Sequence, residues 1–405
     1  MKTLIVIGGG AAGFFCAVNA ARIARDLKVV ILEKSSKVLS KVKVSGGGRC
    51  NVTHHCFDVN ELIKNYPRGK NFLKKEFFNF SPKNTVEWFE ERGVKLKTET
   101  DGRMFPITDS SQTIIDCLLN EAKKYNVEIR LNANVHELFR ENETWIIDLG
   151  NEKLPADFVC VACGGFPKLE QFNWLKNLNH TIEKPVPSLF TFNIPESNII
   201  KLQGISSIAQ LKILGTKLIE DGPLLITHWG LSGPAILRLS AWGARVLAEK
   251  NYSFTIHINW LPQYNEQSLR NDWNDIRNKI AAKKMSDKNP FDLPKRLWQY
   301  FLSQAEIDEE MYWSKLPAKQ QNKLIQILVA DEYQINGKTT FKEEFVTCGG
   351  LSLSEIDAQT MQSRLHKNLF FSGEILDVDG VTGGFNFQHA WSSGWIAAKT
   401  VAENV

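Results

Sequence analysis

The apolar and polar positions of this chain divide it into recognisable pieces. A β-branched run over Thr3–Ile7 stops at Gly8, and "AAGFFCAVNAARIARD" behind it has helical composition. A second apolar run over 29–32 stops at Glu33. Residues 81–94 open with Ser81 and Pro82 and close near Gly93, which predicts a capped helix. Residues 111–125 place Ile114, Ile115, Leu118 and Leu119 on one face and predict another. "VEIRLNANVHELF" and "TWIIDLG" alternate as strands do, and "DFVCVACGG" reads as a buried strand meeting two glycines.

From about Ser188 the texture changes. "SLFTFNI", "AQLKILGT" and "YSFTIHINW" are strand-like, set around "GPLLITHWGLSGPAIL". Beyond residue 261 the pattern is helical, with Leu269, Trp273, Ile276 and Ile280 at helical spacing and further helices predicted over 294–305 and 317–329. "FKEEFVTCGG" is strand-like again, and the tail reads as strand, glycine-acid loop, glycine turn and helix. Both ends therefore share one texture that the middle lacks. We expect an α/β protein: a Rossmann-like domain from residues 1–187 plus 342–405, an inserted β-barrel-like module over 188–260 and a helical module over 261–341.

The first piece carries the sharpest chemistry. Strand, glycine turn, helix, strand and acid form the β-α-β unit of a dinucleotide fold, with Gly8, Gly10 and Gly13 as its G-x-G-x-x-G and Glu33 about 20 residues on. Gly8 permits the tight turn, Gly10 lets backbone approach a pyrophosphate, and Gly13 lets helix and strand pack closely. The helix N-terminus offers unpaired N–H groups and partial positive charge to phosphates. Glu33 suits a ribose hydroxyl pair and disfavours a 2′-phosphate. A second such fingerprint does not follow in the sequence.

Composition narrows the setting. A chain of 405 residues, 43% hydrophobic and 23% charged, is ordinary for a globular protein of more than one domain. Net charge of +4 argues for neither nucleic acid nor membrane partners. The apolar run at the start is too short for a leader peptide or a membrane helix, so a cytoplasmic protein is expected. Seven scattered cysteines make no disulfide framework. Cys160 and Cys163 form a C-x-x-C inside an apolar run, which favours a buried strand over a redox pair.

"VIGGGAAG", "SGGGRCNVT", "DGRMFPIT", "THWGLSGPAIL", "VTCGGLSLSEID" and "GEILDVDGVTGGFNFQHAWSSGWIAA" occur in that order along the whole chain. In this the sequence resembles a family of bacterial FAD-binding oxidoreductases, the BaiN/RdsA-type group, also labelled aminoacetone oxidase-like. The resemblance implies a two-dinucleotide-binding-domain flavoprotein fold with FAD in the domain built from both termini. It implies that the loop of Ser45, Gly46, Gly47, Gly48, Arg49, Cys50 and Asn51 passes beneath the pyrophosphate and ribityl chain, with Arg49 able to neutralise charge. Glu374 stands where an acid meets the ribityl chain. Gly383, Gly384, Phe385 and Asn386 open the last helix toward the flavin's pyrimidine edge, where the helix end would favour reduced flavin. Gly164 and Gly165 fit the mid-chain turn. With their neighbours Ala11, Ala12, Lys34, Val135, Cys163 and Gly373, these residues form the expected cofactor-contacting set. The family's Gly/Thr-rich stretch after "VACGG" is replaced here by "FPKLEQFNWLKNLNH", and "VTHH" replaces the usual Thr-Asn, making His54 a local change.

Other features carry less. His54, His55 and Cys56 are adjacent, point apart and lack a second ligand pair, so no metal site is expected. His228 is a weak catalytic candidate, with loop packing the plainer reading. "GLSG" misses the hydrolase elbow because its second glycine falls one residue early. The expected function is an FAD-dependent oxidoreductase passing a hydride between a small organic substrate or NAD(P)H and flavin N5, with NADH or NADPH as candidate donor. An oxygen-using flavin amine oxidase is the alternative. A flavin-dependent RNA-modifying protein is a further one, for which residues 279–288 make a poor basic face, and a regulatory flavoprotein without turnover is the last. A small-molecule partner is expected, and the sequence leaves the oligomeric state open.

Overall fold

The computed structural model describes residues 1–340 and 346–405. The strand-like reading of "FKEEF" thus lies outside the described residues. The chain forms two compact units, Met1–Ser188 with Lys342–Val405, and Leu189–Phe341.

The first unit is organised by a parallel sheet of β1 (Thr3–Ile7), β2 (Lys28–Leu32), β3 (Glu128–Arg130), β4 (Phe158–Val161) and β5 (Leu369–Phe371). Their order is β5-β4-β1-β2-β3, every neighbouring pair parallel. The central strands are buried on both faces, which is why they read as unbroken apolar runs rather than alternating ones. Helix α1 (Ala11–Ile23) and the final helix α2 (Phe385–Glu403) pack together closely: a side chain at Gly394 would place its Cβ 2.6 Å from the Ala12 carbonyl oxygen. Chain start and chain end therefore share one core, as the matching textures suggested.

One face of α2 is polar yet buried. Gln388 accepts from the hydroxyls of Thr53 at 2.6 Å and Thr85 at 2.9 Å and donates to Ser392 at 2.9 Å, and Ser392 donates to the Phe80 carbonyl at 2.7 Å. Each polar atom so paired avoids the desolvation penalty of an orphan, and the pattern fixes the helix's rotation about its axis.

The helices expected from periodicity appear as Pro82–Glu90 and Ser111–Lys124. Helix Lys70–Asn79 was not anticipated. Its buried face mixes Phe72, Leu73 and Phe77 with Glu76, while Phe78 is exposed, so the apolar stripe is blurred.

In the second unit the described residues form a seven-stranded sheet, beginning with the antiparallel strands Asp331–Asn336 and Ser253–Asn259 and ending with Thr191–Asn193 and Lys338–Thr339. The first and last of these lie on one continuous segment. At its middle, Gly337 donates to the Tyr252 carbonyl at 2.9 Å and accepts from Asn193 N–H at 3.1 Å, which closes the sheet on itself. The barrel-like expectation holds, but its closing segment comes from the part expected to be helical. Helices Glu266–Lys279, Lys295–Gln304 and Ala318–Ala330 match the expected positions. Their Leu269, Trp273, Trp298 and Leu328 share one apolar core with the barrel's Phe192, Leu211 and Ile256.

Candidate functional site

The carboxyl ends of β5, β4, β1 and β2 lie along one edge of the parallel sheet, where α/β folds bind ligands. Each delivers an expected residue there: β1 runs into Gly8, β2 into Glu33, β4 into Cys163 and Gly164, and β5 into Gly373 and Glu374. Glu33 and Glu374 thus sit three strand spacings apart, about 14 Å at the usual separation. One elongated ligand can touch both.

The local geometry is built for a nucleotide. Gly8 has φ +114°, and a Cβ on it would lie 2.4 Å from the Ala162 carbonyl oxygen, so only glycine lets the turn pass under β4. A Cβ on Gly10 would meet nothing within 4 Å, and the first turn of α1 has no side-chain cap. A ligand can therefore approach the backbone at this uncapped helix start, as an anion site requires. Ala12 is buried and Ala11 half-buried in that turn. Glu33 accepts from Gly9 N–H at 2.8 Å and Ser35 N–H at 2.9 Å, which hold its carboxylate in place. Ala133 N–H donates to the Glu33 carbonyl at 2.9 Å, bringing the segment with Val135 beside it. Lys34 is exposed, its Nζ 5.6 Å from the Phe166 ring centroid.

Residues 45–51 span the edge. Before them Leu39 N–H donates to the Gly9 carbonyl at 2.8 Å, and after Ser45 the backbone turns left-handed at Gly46, Gly47 and Gly48. At the far end Asn51, with its amide oriented to donate to the Thr53 carbonyl, accepts from Gly384 N–H at 2.9 Å. The segment therefore ties the first glycine turn to the start of α2. Two of its side chains are turned to the protein. Arg49 pairs with Glu99 at 2.6 Å and Asp109 at 3.6 Å and lies 4.0 Å from the Phe105 ring centroid. Cys50 is buried, and burial pushes its thiol up to about 12. Asn386 likewise faces inward, donating to the Gly380 carbonyl at 2.9 Å and accepting from its N–H at 2.8 Å.

The loop before α2 is held from several sides. Asp379, fully buried, pairs with Arg68 and accepts from Ser188 Oγ at 2.6 Å. Tyr66 donates to the Phe385 carbonyl at 2.7 Å. His54 stacks on Phe385 at 4.6 Å and its Nδ1 lies 3.0 Å from the Gly383 carbonyl oxygen, which fixes that nitrogen as the donor. Burial lowers the His54 imidazole below the ordinary histidine value, partly offset by the Gly383 bond and Asp101.

Sequence reasoning passed over two residues here. Lys41 Nζ lies 2.7 Å from Glu374, and Thr347 N–H donates to the same carboxylate at 2.9 Å. Thr347 Oγ1 is buried with no partner among the described residues. It belonged to the quoted "VTCGG", but nothing in that spelling points to a hydroxyl beside Glu374. Gly165 is close by, since its Cβ would fall 2.6 Å from that oxygen. His228 lies in the second unit, exposed, its ring 4.1 Å from that of Trp229.

A family model described as the HI0933-like protein Rossmann domain matches residues 2–400. The chain belongs to the HI0933-like family. It is accordingly a flavoprotein, an FAD-dependent oxidoreductase. HI0933-like relatives include the 3-dehydro-bile acid delta(4,6)-reductase of Clostridium scindens, 27% identical over 100% of both chains. The ribosomal RNA dihydrouridine synthase of Escherichia coli is 29% identical over 98% of this chain and 96% of its own. Among solved structures, 3-ketosteroid delta1-dehydrogenase from Sterolibacterium denitrificans matches with TM-score 0.53 over 100% of both chains at 10% identity, a likeness of fold alone. The residues at the sheet's carboxyl edge fit FAD. The open approach to Gly10 suits a pyrophosphate, Glu33 a ribose, and the orphaned Thr347 hydroxyl beside Glu374 a polyol chain. Among the described residues no group of His, Cys, Asp and Glu could hold a metal, and no helix is long and apolar enough to cross a membrane.

Proposed function

We propose that this protein reduces a carbon–carbon double bond conjugated to a carbonyl, using FAD held along the carboxyl edge of β5, β4, β1 and β2. The net change adds one hydride and one proton across that bond, and NADH or NADPH is oxidised in the same balance. Bound FAD supplies the hydride chemistry at its ring. The chain's own residues do the rest by holding and orienting.

The α1 N-terminus and Gly10 receive the pyrophosphate, Glu33 accepts from the adenosine ribose, and Glu374 with Thr347 accepts from the ribityl hydroxyls. Gly383 and Gly384, braced by His54, Tyr66 and Asn51, present the α2 N-terminus where negative charge would collect on the reduced ring. Arg49 is assigned no phosphate, because Glu99 and Asp109 already balance its charge.

One observation carries the site: Glu33 and Glu374, from opposite ends of the sequence, share one sheet edge. The names of the relatives support the bond type. A delta(4,6)-reductase of a 3-dehydro-bile acid and a dihydrouridine synthase both saturate a double bond conjugated to a carbonyl, in a steroid and in a uracil ring. A polynucleotide substrate is a second reading, favoured by the Escherichia coli relative.

The test is anaerobic. Purified flavoprotein is reduced with NADH or NADPH, then offered a steroid dienone, a simple enone or uridine-containing ribosomal RNA. Reoxidation by one of these, with saturated product, supports the proposal, and the acceptor chosen separates the two readings. Reduction by small amines and reoxidation only by oxygen would replace it with an amine oxidase.

A further inference from the structure

Beneath the expected ribityl site lies a buried acid–imidazole pair that the proposed chemistry does not use. Glu76, on helix Lys70–Asn79, is fully buried, and His389 on α2 is 2% exposed. His389 Nδ1 lies 2.9 and 3.0 Å from the two oxygens of Glu76. Its Nε2 lies 3.2 Å from the Gly373 carbonyl oxygen. A carbonyl only accepts, so Nε2 carries a hydrogen, and one proton is shared between Nδ1 and the carboxylate. With that proton the pair is neutral overall, which is how such groups can be kept out of water.

The other side of the same residue, in the preceding peptide unit, is also held. Gly373 N–H donates to Ser393 Oγ at 2.9 Å, and Ser393 Oγ donates to the His389 carbonyl at 2.6 Å. Gly373 has φ +74°, and a Cβ there would meet that of Ala12 at 2.8 Å. Two side chains one helical step apart on α2 therefore grip the N–H and the C=O of the residue just before Glu374. That carboxylate in turn accepts from Thr347 N–H and pairs with Lys41.

We infer that Glu76 and His389 are positioning residues for FAD: Glu76 orients the imidazole, the imidazole fixes the Gly373 carbonyl, and this sets the carboxylate of Glu374 in the cofactor groove. The inference rests on the proposed assignment of Glu374 to the cofactor. The pair never touches the cofactor itself, and its effect is felt through one peptide bond. Helix Lys70–Asn79 is thereby part of the cofactor site, although none of its residues lies at the sheet edge.

Deflavinated full-length protein titrated with FAD, read by flavin fluorescence, tests this. The amide nitrogen of Gln in His389→Gln can stand where Nε2 stands and still donate to Gly373. That of Asn in His389→Asn stands where Nδ1 stands and serves only Glu76. His389→Gln should bind FAD within about three-fold of the natural chain, and His389→Asn about ten-fold or more weaker, as expected when a buried carbonyl loses its donor. Glu76→Gln, which can donate to Nδ1 and keep the imidazole turned correctly, should stay close to the natural affinity. Equal FAD affinities for the Gln and Asn variants would overturn the inference, whatever their melting temperatures. Glu374→Ala is the control on the underlying assignment. If it binds FAD as tightly as the natural chain, the site reading fails, whereas weak binding there with no Gln/Asn difference sinks the positioning role alone.

Discussion

Asp331 in the second unit offers a sharp test of the energetics. One oxygen of its carboxylate accepts from Trp260 Nε1 at 3.0 Å and from the Tyr333 hydroxyl at 2.6 Å. Burial nevertheless dominates and raises the carboxyl from 3.8 to about 6. A carboxyl that holds its proton more tightly in the folded chain than in the unfolded one costs stability once pH exceeds both values. At about 1.4 kcal/mol per pH unit the rise is worth about 3 kcal/mol. The residue keeps part of its surface in water, which screens the cost, so about 2 kcal/mol is the working figure. Asp331→Asn retains an oxygen for both donors and removes the charge. It should therefore stabilise the protein by about 2 kcal/mol at pH 8 and by nothing near pH 3, where the natural carboxyl is already protonated in both states. Urea unfolding followed by tryptophan fluorescence at the two pH values measures the difference. A variant no more stable at pH 8 than at pH 3 would refute the reasoning.

Three further outcomes are expected. Gly8→Val should destroy FAD retention, since its Cβ would overlap the Ala162 carbonyl at a backbone angle valine rarely adopts; the absorbance of purified protein reports it. Asp379→Leu, which deprives Arg68 and Ser188 of their buried carboxylate, should cost about 3–5 kcal/mol in urea melts, and Arg68→Leu combined with it should cost less than the two single changes together. His54 is held below the ordinary histidine value of 6.5, so as pH falls through 6.5 the unfolded chain takes up a proton that the folded one resists, and stability drops. His54→Gln should flatten that acid-side decline in melting temperature.

The fold was largely legible because its signals are local. β1 and β2 are unbroken apolar runs, the turn at Gly8 tolerates one residue type, and α1 follows at once. The placing of the candidate site at the sheet edge was legible from spacing at Gly10 and Glu33, and from the family resemblance at Glu374. It was opaque where contacts join distant segments. Glu76 looks like an ordinary solvated acid in "LKKEFF" until His389, 313 residues away, is placed beside it. The resemblance gave Arg49 charge to neutralise at the cofactor, and its pairing with Glu99 and Asp109, on either side of strand Arg103–Pro106, has no sign in the sequence. Thr347 and Lys41 gain meaning only from their approach to Glu374. The barrel's closing segment was hidden for a similar reason, since Asp331–Asn336 follows a helix directly and shows its strand character only beside Ser253–Asn259.

The interlock of α1 with α2 sets a timetable for biosynthesis. β1 is synthesised more than 360 residues ahead of β5, Glu374 and the helix α2, about 20–80 s earlier at ordinary elongation rates. Until then the nascent glycine turn has half a groove and an uncovered apolar helix face. With FAD placed as proposed, capture of the cofactor waits for α2 to be made and to fold against α1.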